Sequence, residues 1–281
     1  MKTAMSGLSD QVRSYFDKAL ADSQTMTGEE RLRREVDSYN SLEGDLNNDG
    51  SYDCKVCRNK GFIEKVEDGR AVMCECKCMA TRRSIWRMKR SGLASTISHC
   101  RFDNFRTDEE WQKGMLATAK KYAAEGMNKG CWFFVGGCVG AGKSHICTAI
   151  VREALLKHWA VLYVSWPQES TKIKAEITEA ETYNSMISGL KDIDLLYIDD
   201  FFKPYNDLPP TGADVRLAYE ILNFRYINRK PTIISSERYL SELEEIDAAT
   251  GTRIYEMAKG YTLLIRRDPA RNQRKNEEVL I

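Results

Sequence analysis

Five short apolar runs stand out in the second half of the chain, with polar or amphipathic segments between them. The runs are rich in aromatic, aliphatic and β-branched side chains, which is typical of strands buried on both faces of a parallel sheet. The segments between them are long enough to form helices. The runs lie at residues 131–135, 161–165, 195–199, 232–235 and 261–265. This pattern predicts an α/β fold in which a five-stranded parallel sheet lies between helices.

The segment after the first run has a helical pattern. Residues 145–157 contain neither glycine nor proline, and one helical face carries Ile146, Ala149, Ile150 and Ala154. The sequence therefore predicts a strand, a glycine-rich loop and a helix in direct succession.

The N-terminal part of the chain has a different texture. Residues 1–45 are polar, and helical stretches are predicted at 9–22 and 28–39. Residues 81–90 carry five basic side chains and a tryptophan but no acidic residue. That stretch suits a surface for nucleic acid or an acidic protein, and it suits a solvated helix face equally well.

Composition indicates a folded protein. Of 281 residues, 42% are hydrophobic and 30% are charged, and the net charge of +1 leaves room only for local basic patches. Residues 1–22 lack the apolar centre of a signal peptide, and no run approaches the roughly 20 apolar residues of a membrane-spanning helix. We therefore expect a cytoplasmic protein without a membrane partner, whose nine cysteines are free thiols or metal ligands.

Five of the cysteines are close together in the sequence. Cys54 and Cys57 form one group, and Cys74, Cys76 and Cys78 form a second group after a predicted hairpin. Two such groups suit a closed tetrahedral zinc site, for which we predict Cys54, Cys57, Cys74 and Cys76 as ligands. Cys78 could replace Cys74 or Cys76, and four thiolates would also suit an iron–sulfur cluster. The predicted domains are a helical, zinc-binding N-terminal region at 1–100 and a second domain at 101–281.

The loop after the first apolar run has a spacing that binds phosphate. Gly137 and Gly142 are four residues apart and Lys143 and Ser144 follow, as in loops whose backbone N–H groups surround phosphate oxygens. The lysine can reach the β- and γ-phosphates, and the serine hydroxyl can ligate Mg²⁺. We therefore predict a site for ATP and Mg²⁺. Its predicted nucleotide contacts are Gly137, Gly140, Ala141, Gly142, Lys143, Ser144 and His145.

The third apolar run ends in two adjacent carboxylates, in the sequence LLYIDD. Asp199 is at the position of an aspartate that supports Mg²⁺ together with Ser144. Asp200 can then orient or deprotonate an attacking water. We therefore predict ATP hydrolysis, with Lys143 and Asp200 as catalytic residues.

Further segments give the chain a resemblance to a known family. RFDNF at 101–105, PTIISSE at 231–237 and GTRIYEM at 251–257 accompany the phosphate loop and the LLYIDD strand end. Together they resemble the DnaC-type AAA+ ATPases, which load replicative helicases. The cysteine-bearing region is similar to that of loaders from Gram-positive bacteria and their phages. The resemblance covers roughly residues 50–275.

The resemblance implies roles for additional residues. Arg253 matches the arginine finger, a catalytic residue that reaches the nucleotide of the neighbouring subunit. Where the family often has asparagine at the sensor 1 position, this chain has Glu237, so Ser236 is the implied contact and Glu237 the alternative. Arg274 matches the sensor 2 arginine, and Arg271 is its rival.

The implied function is ATP-dependent loading of the replicative DNA helicase onto single-stranded DNA when replication begins. In this family the N-terminal region holds the helicase, and ATP binding assembles the subunits into an open oligomer. Two other interpretations remain open: a transposition helper ATPase with the same core, and a regulatory module that binds nucleotide without hydrolysis. The zinc region favours the loader over the helper, and Lys143, Asp199 and Asp200 favour an ATPase over the regulatory module.

Overall fold

A computed structural model describes residues 26–48, 50, 52–90, 94–203 and 208–274. The helix predicted at 9–22 lies outside these residues. Within the described part of the chain, no helix is both long enough and apolar enough to span a bilayer.

The chain divides into two compact units, Met1–Met79 and Ala80–Ile281. The smaller unit contains helix α1 (Gly28–Ser41) and an antiparallel hairpin of β1 (Phe62–Glu67) and β2 (Arg70–Glu75). Asn40 ties the end of α1 to the hairpin, since its amide bonds both the N–H and the carbonyl of Glu64, at 3.0 and 2.9 Å.

The division between the units comes earlier than the predicted boundary at 100/101. The reason is that most of α2 (Cys78–Arg90) is part of the larger unit and bonds to other segments of that unit. The Thr81 hydroxyl donates to the Leu155 carbonyl at 3.3 Å, and the Val161 N–H donates to the Ser84 hydroxyl at 2.9 Å. The basic stretch at 81–90 is therefore helical and belongs to the larger unit.

The larger unit is built on a five-stranded sheet in the order β4-β5-β6-β3-β7, and every described strand pair in it is parallel. This confirms the predicted sheet. The strands are β3 (Phe133–Gly137), β4 (Val161–Ser165), β5 (Leu195–Asp199), β6 (Thr232–Ser236) and β7 (Thr262–Ile265). The first strand runs later than predicted because Gly136 and Gly137 still pair with β7, opposite Leu264 and Ile265.

Helices cover the sheet on both faces. Alternate strand residues fall into two buried clusters, with Phe133 and Tyr197 in one and Phe134 and Ile198 in the other. The helices are α3 (Ala94–His99), α4 (Glu110–Lys121), α5 (Lys143–Leu156), α6 (Trp166–Ala175), α7 (Ala180–Asp192), α8 (Gly212–Ile227), α9 (Leu240–Ile246) and α10 (Ala248–Met257).

The strand order determines where the chemistry-bearing residues meet. Strands β5, β6 and β3 are neighbours, and parallel strands end at the same edge of a sheet. The phosphate loop follows β3, the paired carboxylates end β5, and the Ser235–Ser236 pair ends β6. The sheet therefore brings the three predicted motifs to one edge.

Candidate functional site

The loop between β3 and α5 adopts a backbone that requires glycine. Gly137, Gly140 and Gly142 have φ angles of 108°, 75° and 85°, a region that side chains disfavour. A Cβ on Gly137 would lie 2.0 Å from the Ile265 carbonyl oxygen, so space as well as φ excludes a larger residue. The loop is therefore a tight turn that leads from β3 directly into α5.

Lys143 is the first residue of α5 and is buried. Its ammonium donates to the carbonyls of Gly137 and Cys138, at 2.9 and 2.7 Å. Burial lowers the pKa of Lys143, and the carboxylates of Glu237 and Asp200 oppose this effect only in part. The side chain thus lies across the loop, where it can meet phosphate oxygens.

Asp199 lies among three hydroxyl groups. Its Oδ1 accepts from Ser144 Oγ at 3.3 Å and from Ser235 Oγ, and its Oδ2 accepts from Tyr163 at 3.4 Å. An adjacent carboxylate and serine hydroxyl are the ligand types that Mg²⁺ takes in phosphate-loop proteins. Asp199 and Ser144 therefore fit the predicted magnesium site.

A cavity of about 550 Å³ opens at this edge of the sheet. That volume lies within the range of small-molecule sites. Of the predicted site residues, it is lined by Gly140, Gly142, Lys143, Ser144, His145, Asp199, Asp200 and Arg274. Gly137 instead lines a neighbouring cavity, and Ala141 is fully buried.

The RFDNF segment packs against the same loop. His145 Nε2 lies 3.1 Å from the Arg101 carbonyl, and the Phe105 ring meets the His145 ring edge to face at 5.3 Å. A Cβ on Gly142 would lie 3.2 Å from Phe105. This segment therefore forms one wall beside the phosphate loop.

Six residues that line the cavity were not identified as primary site residues in the sequence, and three of them carry polar or charged groups of interest: Lys203, Glu237 and Gln273. The Gln273 Nε2 amide is buried and has no hydrogen-bond partner among the described residues, so a bound ligand could satisfy it. Ser235 was also missed, although it bonds Asp199 and accepts from the Asp200 N–H at 3.3 Å. Ser235 follows two isoleucines and precedes another serine, and nothing in that sequence distinguishes it as a site residue.

The structure corrects the assignment of Ser236. Its hydroxyl is fully buried, donates to the Phe201 carbonyl at 2.7 Å and accepts from the Arg238 N–H at 3.0 Å. Strand alternation turns Ser235 and Ser236 to opposite faces, and β6 ends at Ser236. Glu237, the alternative from the sequence, is the residue that lines the cavity.

The two arginines that were candidates for the sensor 2 position have different surroundings. Arg274 lines the cavity, and the preceding Gln273 N–H donates to the Gly140 carbonyl at 3.1 Å. Arg271 instead stacks on Trp111, with its guanidinium 5.1 Å from the ring centre. The placement favours Arg274 over Arg271 as the residue that faces the phosphate loop.

A second candidate site lies in the smaller unit, where Cys54, Cys57, Cys76 and Cys78 are all buried and their sulfurs lie within 4.8 Å of one another. The Sγ atoms are 3.9 Å apart for Cys54–Cys76 and 3.5 Å apart for Cys57–Cys78. Tetrahedral zinc with ~2.3 Å bonds needs sulfurs about 3.8 Å apart, so the cluster fits a single ion. Iron–sulfur clusters hold their thiolates further apart, so the spacing favours zinc.

Burial raises the pKa of the Cys76 thiol, whereas the pKa of the neighbouring Cys57 thiol is lowered. Burial also acts to raise the pKa of Cys57, but the Gly61 N–H and the neighbouring thiols lower it to about 7. Thiolate is the form that binds metal.

Cys74 is not a member of this cluster, which corrects the predicted ligand set. It lies within the hairpin ladder, opposite Ile63, and is partly exposed. The ladder ends at the Phe62–Glu75 pair, after which the Cys76 N–H donates to the Gly61 carbonyl at 2.8 Å. The chain turns there, and Cys78 at the start of α2 supplies the fourth sulfur.

Comparison with known proteins decides the family. A family described as the bacterial DnaA ATPase domain matches residues 98–258. The phage-like element PBSX protein XkdC of Bacillus subtilis is 34% identical over 227 residues, which cover 76% of this chain and 83% of that protein. The replicative helicase loader DnaC of Escherichia coli is 27% identical over 172 residues. The chain belongs to the DnaC-type AAA+ family.

The E. coli DnaC alignment covers 59% of this chain and 65% of that protein, just short of two thirds of its length. Among solved structures, a crystal structure of the DnaC helicase loader aligns with a TM-score of 0.52 at 17% identity, covering 61% of this chain and 98% of that one. This likeness agrees with the sheet and the helices on both its faces, and it confirms the AAA+ fold.

Arg253, the predicted arginine finger, lies on α10. Its guanidinium donates to Asn223 at 3.0 Å and to the Ala249 carbonyl at 2.7 Å, and it lies 5.0 and 5.4 Å from the ring centres of Tyr219 and Tyr226. Glu256, a possible ion-pair partner, instead accepts from the Tyr226 hydroxyl at 2.9 Å. Arg253 is thus held by α8 and its own helix, and it remains partly exposed.

We predict one zinc ion per chain in the purified DnaC-type protein, measured by elemental analysis after gel filtration. Cys78→Ser should lose the metal because it removes one of the four clustered sulfurs. Cys74→Ser is the matched control and should retain it. Chelation should unfold the smaller unit and leave ATP binding intact. Wild-type protein without zinc, or with the visible absorption of an iron–sulfur cluster, would contradict the assignment.

Proposed function

We propose that the protein is an ATPase that loads the replicative DNA helicase onto single-stranded DNA when replication begins. The observation that carries this proposal is the cavity at the sheet edge, where Lys143, Asp199, Asp200 and Arg274 meet in a chain of the DnaC-type family. The sequence identity to a replicative helicase loader supports helicase loading as the function of this ATPase.

The cavity residues suggest how ATP would be bound and hydrolysed. The positive-φ glycines let the loop approach the phosphates, and Lys143 and Arg274 supply positive charge to them. Ser144 and Asp199 would hold Mg²⁺, which neutralises charge that develops on the phosphates. Asp200 would orient the attacking water and accept its proton.

Arg253 would make ATP hydrolysis depend on the assembly of subunits. It lies on α10 and is not among the residues that line the cavity of its own chain. We propose that it enters the cavity of a neighbouring subunit and stabilises the transition state there. ATP binding would then favour an open oligomer around or beside single-stranded DNA, and hydrolysis would loosen the assembly and release the helicase.

Two surfaces suit the proposed partners. The smaller unit would hold the helicase. Helix α2 carries basic residues and the exposed Trp86, which suit contacts with phosphates and stacked bases of single-stranded DNA.

A loading assay tests this function. Replicative helicase from the organism that encodes the chain should unwind a circular single-stranded template only when this protein and ATP are present. The Lys143→Ala variant should fail to support unwinding. If the protein instead stimulates strand transfer by a transposase and does not support the helicase, the transposition helper interpretation replaces the loader.

Asp200→Asn should leave nucleotide binding in place but slow hydrolysis by about 10²-fold or more, because a general base contributes on that scale. Single-turnover hydrolysis measures the chemical step directly. The Asn side chain keeps the size of Asp and removes only the base and the charge. Hydrolysis at the wild-type rate would exclude Asp200 as the water-activating group and make Glu237 the next candidate.

A further inference from the structure

Two carboxylates in the proposed ATPase site share one cation. Lys203 Nζ lies 2.9 Å from Asp200 Oδ2 and 3.2 Å from Glu237 Oε1. All three side chains line the cavity that contains the phosphate loop. The Lys203 side chain is 41% exposed, and those of Asp200 and Glu237 are 33% and 20% exposed, so the group lies at the mouth of the site.

The backbone that carries Lys203 is held firmly in place. Phe201 and Phe202 are buried and stacked at 4.2 Å, and the edge of Trp166 meets both rings at 5.1 and 5.7 Å. Asp200 and Phe202 have positive φ angles of 55° and 47°, so the chain turns sharply between the two rings.

Hydrogen bonds to strand β6 and to the residue after Glu237 fix this turn further. The Phe201 N–H donates to the Ser235 carbonyl at 2.8 Å, and Arg238 Nε donates to the Phe202 carbonyl at 2.9 Å. The Lys203 N–H returns to the Asp200 carbonyl at 3.0 Å. Lys203 is therefore placed beside both carboxylates by a buried, hydrogen-bonded turn.

The charges in the cavity explain why a cation is needed there. Asp199, Asp200 and Glu237 bring three carboxylates to a cavity proposed to receive an anionic triphosphate. Carboxylates that share a cavity disfavour one another, and they disfavour an anionic ligand. Burial acts to lower the pKa of Lys203, but its bonds to Asp200 and Glu237 outweigh burial and leave the pKa raised, so the side chain is charged near neutral pH.

We infer that Lys203 is a positioning residue of this site, which holds the Asp200 carboxylate toward the water and neutralises Glu237 so that the cavity accepts the γ-phosphate. This inference rests on the proposed ATPase function. It predicts a dependence between two residues: Glu237 is tolerated beside the phosphates because Lys203 is present, and it opposes ATP binding when Lys203 is removed.

Four variants test the inference. Lys203→Met removes the cation, Glu237→Gln removes the second carboxylate at constant size, a double variant removes both, and Lys203→Arg keeps the charge. Lys172→Met is the matched control, since Lys172 forms an exposed pair with Glu169 at 3.5 Å on α6. Affinity for a fluorescent ATP analogue, steady-state kcat and KM, and melting temperature are measured for each variant.

Lys203→Met should weaken ATP binding and raise KM roughly 10-fold, because one unopposed charge is added to the cavity. It should also lower kcat by about 10- to 100-fold, the scale of a lost hydrogen bond to a charged group that orients Asp200. Adding Glu237→Gln should restore ATP binding and KM but leave kcat low. Lys203→Arg should keep most of both, and Lys172→Met should resemble the wild type.

The inference would be overturned if the Lys203→Met variant matched the Lys172→Met variant in ATP affinity, KM and kcat. It would also be overturned if Lys203→Met lowered only the melting temperature and changed neither kinetics nor binding. A double variant that binds ATP as poorly as Lys203→Met would refute the neutralising role. If the wild type binds ATP but does not hydrolyse it, the proposed function fails, and the binding comparison still tests Lys203 against Glu237.

Discussion

Replacing Lys143 with alanine should abolish nucleotide binding or reduce affinity by a factor on the order of 10² or more, since the variant loses a buried charge directed at the phosphates. The lysine is at the first position of α5, and the carbonyls of Gly137 and Cys138 fix its ammonium within the loop. The shortened side chain leaves the loop backbone as the main phosphate contact.

Titration with a fluorescent ATP analogue gives the affinity, and far-UV circular dichroism checks that the variant is folded. Lys172→Ala is the matched control, since it removes the same charge from an exposed pair on α6. A folded Lys143→Ala protein with wild-type affinity would show that ATP is not bound at this loop.

Replacing Arg253 with alanine should also have a large effect, but on ATP hydrolysis and not on ATP binding. The variant should bind ATP normally, because Arg253 is not among the residues that line its own cavity. Turnover stimulated by single-stranded DNA or by the helicase should fall by a factor on the order of 10³, the scale measured for arginine fingers in other triphosphatases.

Two controls make this result specific. Arg216→Ala removes an exposed arginine of α8 and should leave stimulated turnover unchanged. Arg253→Lys keeps the charge but loses the planar fork, so it should recover only part of the rate. If Arg253→Ala loses ATP affinity in proportion to turnover, the arginine supports the fold of its own subunit and does not complete a neighbouring site.

The sequence predicted the core of this structure because the relevant signals are local. Short apolar runs bounded by turns predicted all five strands of the sheet. The spacing of Gly137, Gly142 and Lys143 predicted the loop because few residue types tolerate its backbone. The paired carboxylates were found because they end an apolar run that follows the phosphate loop along the chain.

The assignments that changed depend on contacts between distant segments. Four metal ligands could be chosen from the five cysteines in several ways. Because the hairpin ladder continues to Glu75, Cys74 stays in the strand and Cys78 joins the cluster. Strand alternation placed Ser235 rather than Ser236 against Asp199. The first outcome depends on where a strand ends and the second on which face each residue occupies, and element boundaries are the least reliable feature of a sequence-based prediction.

Some residues give no sequence signal at all. Arg225 is fully buried, and its guanidinium donates to the carbonyls of Leu190, Lys191, Ile193 and Pro231 at 3.0, 3.0, 3.0 and 2.6 Å. It ties the end of α7 to the start of β6. An arginine near the end of a helix is usually a surface residue, so only the tertiary structure reveals this role.

We propose that ATP is hydrolysed between subunits, and an equal mixture of two inactive variants provides the test. Lys143→Ala lacks the phosphate contact and Arg253→Ala lacks the finger, so each protein alone should show almost no stimulated turnover. In an equal mixture with single-stranded DNA, some neighbours pair an intact loop with an intact arginine. The mixture should therefore recover a measurable part of wild-type turnover, and wild-type turnover per chain should rise with protein concentration. A mixture as inactive as its components, with wild-type turnover independent of concentration, would contradict hydrolysis at a shared site.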